Sequence, residues 1–344
     1  MGAQQTRLFS PVLQLMNPHT GSIASHTFHG LEPGPRLIVL GAVHGNEIGG
    51  TRGIERVLGE LQRGELNIVR GAVTFVPITN PLAYALQRRA GDRNLNRNLR
   101  PNDAPQDYED RIANVLCPLL AAHDVLLDLH SFHTGGEPFA MLGPQDNDGA
   151  LESFAHAAEE EALALRLGAR RLVEGWLDTY ATGVRKRLAR TAPTERAHLL
   201  STDPDYGIGT TEYMRRMGGY AVTLECGQHE DPAAPEFAWR AIRNTLAHLD
   251  LVDAAAPAAR DDCELLRLTE VIDRLHADDS FARPWGSFDA VRADEVIGHR
   301  HDGTPVIAPR DGFIVFPNPA ATPGNEWFYF AQRSGRTLRA FNRV

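Results

Sequence analysis

Four stretches in the first 250 residues, 37–43, 72–78, 125–130 and 221–225, are apolar almost without interruption. Runs of this kind are characteristic of strands covered on both faces, as in a parallel sheet; a strand with one wet face would alternate. Segments 53–62, 105–122 and 235–249 instead repeat their apolar positions with a helical period. Strands alternating with helices predict an α/β unit, a mixed, mostly parallel sheet with helices on both faces.

The pattern changes near residue 250. Residues 251–259 are Ala-rich with one Pro and read as a linker, drawn at 251–260. Segment 264–278 fits either a helix or a strand. Short apolar pieces at 291–298, 305–308, 312–315 and 327–331, separated by Gly, Pro, Asn and Asp, predict a small all-β, barrel-like C-terminal domain at 261–344 after an α/β domain at 1–250. The ingredients of this tail faintly resemble a biotinyl or lipoyl domain, but it has no lysine to carry such a group. A structural or lid-forming role is preferred, with assembly as the alternative. No tandem repeat or low-complexity tract is present.

Three of the apolar runs end in candidate chemistry. The first closes on His44-Gly45-Asn46-Glu47, with Gly49 and Gly50 marking a tight turn into a helix. An imidazole and a carboxylate three residues apart can present to one side, as two ligands of one Zn²⁺ require. The second closes on Asp128-Leu129-His130-Ser131, where strand alternation puts Asp128 and His130 on one face, a ligand and the carboxylate that would orient it. In the third, a Glu ends an apolar run at Leu224-Glu225-Cys226-Gly227. Burial raises a carboxyl pKa toward the range useful for proton transfer, which suits Glu225 to general-base work. Strand ends are where α/β proteins place their sites.

Composition narrows the class. The chain has 344 residues, 42% of them hydrophobic, enough for a large core. A net charge of −9 argues against nonspecific nucleic-acid binding. Of the 35 basic residues only Lys186 is a lysine, which leaves Schiff-base chemistry almost no candidate. Three cysteines without Cys-x-x-Cys spacing suggest neither a disulfide framework nor a thiolate zinc knuckle, and point to a reducing cytoplasm. No membrane span or signal peptide is expected. The Met1-Gly2…Thr6 match to a myristoylation pattern is too short to carry weight. Ser131 lacks the Gly-x-Ser-x-Gly elbow of a serine hydrolase. Residues 201–213 read as a polar loop with two Gly hinges able to cover a pocket, with Tyr206 or Tyr213 either facing substrate or anchoring the loop. Cys226 reads as a packed small residue, and Arg185, Lys186, Arg187 and Arg190 as a solvated helix face.

Taken in order, His44-Gly-Asn-Glu47, Asn96-Arg97 within Gly91-Asp-Arg-Asn-Leu-Asn-Arg97, Asp128-Leu-His130-Ser131 and Leu224-Glu225-Cys-Gly227 resemble the succinylglutamate desuccinylase/aspartoacylase family of zinc carboxypeptidase-like proteins. The resemblance runs from about residue 36 to 245, and the tail matches the two-domain plan of many members. It implies one Zn²⁺ per chain held by His44, Glu47 and His130, with Glu225 as the base that deprotonates zinc-bound water. It also implies Asn96 and Arg97 as the pair holding a substrate carboxylate, and Arg89 as the cation that polarises the scissile carbonyl and stabilises the oxyanion. Members commonly read Asp-Leu-Asn-Arg where this chain has Asn94. The repeated Arg-Asn-Leu makes Arg93 a rival for Arg97, and His133 lies three residues after His130. The expected activity is hydrolysis of an amide, rather than an ester, in an N-acyl amino acid or similar small carboxylated amide. A metallocarboxypeptidase and a non-catalytic metal- or ligand-binding protein are the alternatives. Expected partners are that small molecule and a second copy in a homo-oligomer, without nucleic acid or membrane. Mn²⁺ or Co²⁺ would suit the same donors.

Overall fold

A computed structural model describes residues 21–190 and 203–338. In chain order the elements are β1 (His26–His29), β2 (Glu32–Leu40), α1 (Ile48–Gln62), β3 (Arg70–Val76), α2 (Pro81–Ala85), α3 (Tyr108–Ala121), β4 (Val125–Phe132), β5 (Phe139–Met141), α4 (Ala157–Ala164), β6 (Arg171–Glu174), α5 (Trp176–Arg190), α6 (Thr210–Arg216), β7 (Tyr220–Gln228) and α7 (Ala234–His248). The C-terminal part adds β8 (Glu264–Asp273), β9 (Ser280–Phe281), β10 (Ala290–Val291), β11 (Val296–His299), β12 (Pro305–Ile307), β13 (Gly312–Val315) and β14 (Glu326–Arg333).

Eleven strands form one mixed sheet in the order β1-β3-β2-β4-β7-β5-β6-β8-β14-β13-β10. The pairs β3–β2, β2–β4, β4–β7, β5–β6 and β6–β8 are parallel. Alternate residues of β2 and β4 serve opposite faces. Leu37, Val39, Leu127 and Leu129 pack with Ile54 and Val57 of α1 and with Ala238 and Ile242 of α7. Ile38, Leu40 and Leu126 pack with Ile112 and Leu116 of α3 and with Met214 of α6. With both faces covered, these strands have no wet side, which explains their unbroken apolar runs.

From β2 the chain crosses to β3 on one side and later to β4 on the other. The carboxyl ends of β2 and β4 therefore flank a topological switch point, the crevice where open α/β sheets bind ligands. Entry to α1 at this point is tight: a Cβ on Gly45 would lie 1.9 Å from the Ala83 carbonyl carbon. Ala42, just before it, adopts a left-handed φ of 46°.

The C-terminal region is β-rich, as its turn spacing predicts, and segment 264–278 resolves as the strand β8. Four of its strands extend the main sheet through the parallel β6–β8 pairing; β12, β11 and β9 form a separate small antiparallel sheet. The core between β5, β6 and β14 joins Phe139 and Val173 to Leu266, Phe288 and Tyr329. No described helix is long and apolar enough to cross a membrane. The Met1-Gly2…Thr6 motif lies outside the described residues.

Candidate functional site

His44 follows β2, Glu47 stands immediately before α1, and His130 ends the apolar part of β4, so the three meet at the switch point. All three are buried, and one donor atom from each lies within 4.8 Å of the others. Glu47 Oε1 is 2.9 Å from His44 Nδ1, and its Oε2 is 2.9 Å from His130 Nδ1. The two Nδ1 atoms are 3.2 Å apart.

The outer nitrogens explain this orientation. Asn94 Oδ1 accepts the Asn96 backbone N–H at 2.9 Å, which identifies that atom as the oxygen, so His44 Nε2–H donates to it at 3.0 Å. His130 Nε2–H donates to Asp128 Oδ2 at 2.9 Å, and Thr210 Oγ1 donates to the same carboxylate. Both rings thus hold their Nε2 proton outward and turn Nδ1 toward Glu47. Two imidazole nitrogens, each braced from behind, and a carboxylate form a donor set compatible with a metal ion.

Electrostatics separate the two rings. Burial, reinforced by Arg89, pushes His44 down to about 4 and keeps it neutral. Burial opposes charge on His130 too, but Asp128 and Glu47 outweigh it and hold its pKa well above the usual imidazole value. Glu225, on β7 beside His130 in register, is buried with no hydrogen-bond partner for Oε2 among the described residues. Burial pushes its carboxyl up to about 8, with Glu47 and Asp128 adding to the rise while His130 and Arg89 oppose it. The Cys226 thiol beside it is buried and raised in pKa by that burial, the state of a packed side chain.

Arg89 Nη1 donates to Glu47 Oε1 at 2.7 Å from a half-exposed position at the pocket. Arg93 is fully engaged: Nε meets Asp107 at 2.8 Å, Nη2 meets Asp110 at 2.9 Å and Nη1 donates to the Arg97 carbonyl. Arg97 has no carboxylate partner among the described residues. Its Nη1 donates to the Asn96 carbonyl, and its guanidinium lies 4.7 Å from the Trp176 ring centroid and 5.2 Å from that of Tyr180. Asn96 Oδ1 accepts the Thr210 N–H at 2.8 Å, leaving the amide N–H₂ as the part of this side chain available to a substrate.

His44, Arg89, Arg93, Asn94, Asn96, Arg97, His130 and Glu225 line one cavity of about 400 Å³. Its other wall is one the sequence did not reveal: Trp176 and Tyr180 from α5, and Phe316, Glu326 and Tyr329 from the C-terminal region. The Tyr329 hydroxyl is buried there without a partner among the described residues. His229 follows β7, and its Nδ1 is 2.8 Å from Ser131 Oγ. His133 is an exposed neighbour of His229 and does not join the donor cluster. Arg187 departs from the expected solvated face: it is buried, with Nε and Nη2 gripping Asp273 at 2.9 and 2.7 Å. Arg185 and Lys186 are exposed as expected.

The segment read as a hinged loop is ordered where it is described. Pro204–Gly207 forms a 3-10 turn, and α6 begins at Thr210, capped by Glu212 Oε2 accepting the Gly209 N–H at 2.9 Å. Tyr206 reaches the cavity, whereas Tyr213 packs on the α3 side of the core. Residues 201 and 202 lie outside the described residues.

A search of curated proteins gives no match. The family model for the succinylglutamate desuccinylase/aspartoacylase catalytic domain matches residues 33–251. Among solved structures, the fold is similar to a succinylglutamate desuccinylase/aspartoacylase from Rhodobacter sphaeroides (19% identity, 91% of this chain and 90% of that one, TM-score 0.66). It is also similar to a product-bound ectoine utilization protein from Ruegeria pomeroyi (19%, 90% and 88%, 0.64). A third similar structure is a succinylglutamate desuccinylase from Vibrio cholerae (20%, 87% and 82%, 0.64). At these identities the structures speak for the fold, while the family model spans well over half of the chain and includes every residue of the donor cluster. The chain therefore belongs to the succinylglutamate desuccinylase/aspartoacylase family, whose chemistry is amide hydrolysis.

Proposed function

We propose that the protein is a zinc-dependent hydrolase that removes the acyl group from an N-acyl amino acid or a similar small carboxylated amide. The carrying observation is the buried Glu225 carboxyl, unpartnered at Oε2, beside a compact His44–Glu47–His130 donor set in an amino-acid-sized cavity. A carboxyl is costly to bury with an unpartnered oxygen, so its retention there fits a proton-transfer role. Zinc held by the three donors would supply a Lewis acid and an acidified water at neutral pH.

The chain's own residues account for the rest. Glu225 takes the proton of the attacking water and delivers it to the leaving amine; a raised proton affinity suits both steps. Arg89 turns its N–H donors to the developing oxyanion, a contribution of about 3 to 4 kcal/mol in comparable sites. Arg97 with the Asn96 amide holds the substrate carboxylate, since Arg93 is already consumed by Asp107 and Asp110. We assign the catalytic domain to residues 1–250, the linker to 251–260 and the β-rich region to 261–344, which closes the outer side of the cavity. Three free cysteines support a reducing cytoplasm as the location.

The test is primary-amine release by zinc-loaded protein from a panel of N-acyl amino acids and blocked peptides. Release from acyl amino acids alone is expected. Release confined to peptide C-termini would make the protein a carboxypeptidase, and inactivity on the whole panel would leave a binding role.

A further inference from the structure

The cavity contains five arginines, but their free charge is small. Arg93 is saturated by Asp107 and Asp110. Arg215 is buried against Glu160 and Glu152, at 2.8 and 2.9 Å. Arg187 is held by Asp273. Arg89 points at Glu47, next to the reacting centre. Among the described residues Arg97 alone of the five lacks a carboxylate contact, and its guanidinium packs against two rings, those of Trp176 and Tyr180.

The same wall carries a carboxylate whose ion pair is long. Glu326 lines the cavity, and its ion pair is a long 3.5 Å contact to Arg187, whose closer bonds go to Asp273. Withdrawal from water works against charge on Arg97, but Glu326 foremost, with Tyr180, Tyr329 and Glu212, keeps its pKa raised. Glu326 is therefore close enough to be felt at the clamp. A substrate carboxylate docking on Arg97 takes up the charge of that one guanidinium. A second carboxylate would find no other guanidinium of the cavity free of a carboxylate contact among the described residues, and it would share the cavity with Glu326. Like charges brought together at such a site are strongly disfavoured.

We propose that the site selects amides bearing a single carboxylate, with an uncharged acyl group, and that Glu326 excludes dicarboxylic substrates such as N-succinyl or N-acyl acidic amino acids. The inference rests on the deacylase reading and narrows its substrate class away from the acids that give the family its name.

Isosteric pairs test it. N-succinamoyl- and N-succinyl-methionine differ at the acyl end, and N-acetyl-glutamine and N-acetyl-glutamate at the amino-acid end. The expected result for zinc-loaded protein is a kcat/KM at least about tenfold higher for the neutral member of each pair, with Glu326→Gln narrowing the gap. Calorimetric binding of the same four compounds to zinc-loaded Glu225→Gln reads the selection without turnover, and the neutral members are expected to bind tighter. Equal or tighter binding of the dicarboxylates, or no binding of the neutral members, overturns the inference. Selective binding without hydrolysis of any compound by the unsubstituted protein would instead overturn the deacylase reading and leave the selectivity standing.

Discussion

His130 leans on a buried carboxylate, Asp128, whereas His44 leans on the neutral amide of Asn94. The amide oxygen still fixes the tautomer, and it is the group that aims His44 at the donor cluster. Asn94→Ala should leave the fold intact and weaken zinc binding about 10- to 100-fold, measured by chelator competition. Glu225 contributes at a different point. Glu225→Gln keeps the shape and removes the base, so kcat should fall by about 10² to 10⁴ while zinc content, measured by elemental analysis, is unchanged; retained turnover would remove Glu225 from its role. The residues around the metal donors were legible in sequence because each ends an apolar run, where a polar group stands out. The aromatic and acidic surroundings of Arg97 were not. Trp176 and Tyr180 sit in an ordinary-looking helix, Glu326 and Tyr329 begin a strand 230 positions from Arg97, and only long-range folding brings them together. Arg187 was misread for the same reason: its partner Asp273 is 86 residues away.

At the scale of elements, the turn from β2 to α1 places two of the three donors, and it depends on close backbone contact. Because a Cβ at position 45 would fall within bonding range of Ala83 backbone atoms, Gly45→Ala must push the turn away from α2. The expected cost is about 2 kcal/mol or more in urea unfolding, with zinc binding lost, since strain of this kind has no flexible side chain to absorb it. Apolar runs located β2, β4 and β7 and helical periodicity located α1 and α7, each to within five residues, because burial sets the pattern in each. It failed where local bonds rather than burial decide. α6 starts in a stretch that reads as polar loop, stabilised by Glu212 capping Gly209, and segment 291–298 splits into β10 and β11 at a turn where Asp294 adopts a left-handed φ of 64°.

For the molecule as a whole, the pattern after residue 250 announced β structure, but pairing partners are not written in a strand's own residues. The parallel register of β8 on β6 ties the C-terminal strands into the sheet that bears the site, so the cavity's two walls share one hydrogen-bonded framework. Within that region Asp279 pins the turn after β8 to the β11–β12 hairpin, accepting from Arg300 at 2.8 Å and from the N–H groups of Leu275, His276 and His301. Burial opposes its charge, yet these bonds lower its pKa to about 2 from 3.8. A carboxyl depressed on folding stabilises the native state above its unfolded pKa and loses that contribution as pH falls through the folded value. The stability difference between wild type and Asp279→Asn should be roughly 2 kcal/mol at pH 5 and about half that at pH 3, read from urea melts at both pH values. A difference that does not change with pH would assign the stabilisation to packing instead.

The solitary Lys186 has a practical consequence. It is exposed on α5, the helix that also carries Trp176 and Tyr180 against Arg97, and its ammonium makes only a 3.6 Å contact with Glu270. Ten residues along a helix separate it from Trp176, about 15 Å of axial rise. An amine-reactive fluorophore therefore has one side-chain address on this protein, on the helix that packs Trp176 and Tyr180 against Arg97, and could report occupancy of the cavity without an engineered cysteine.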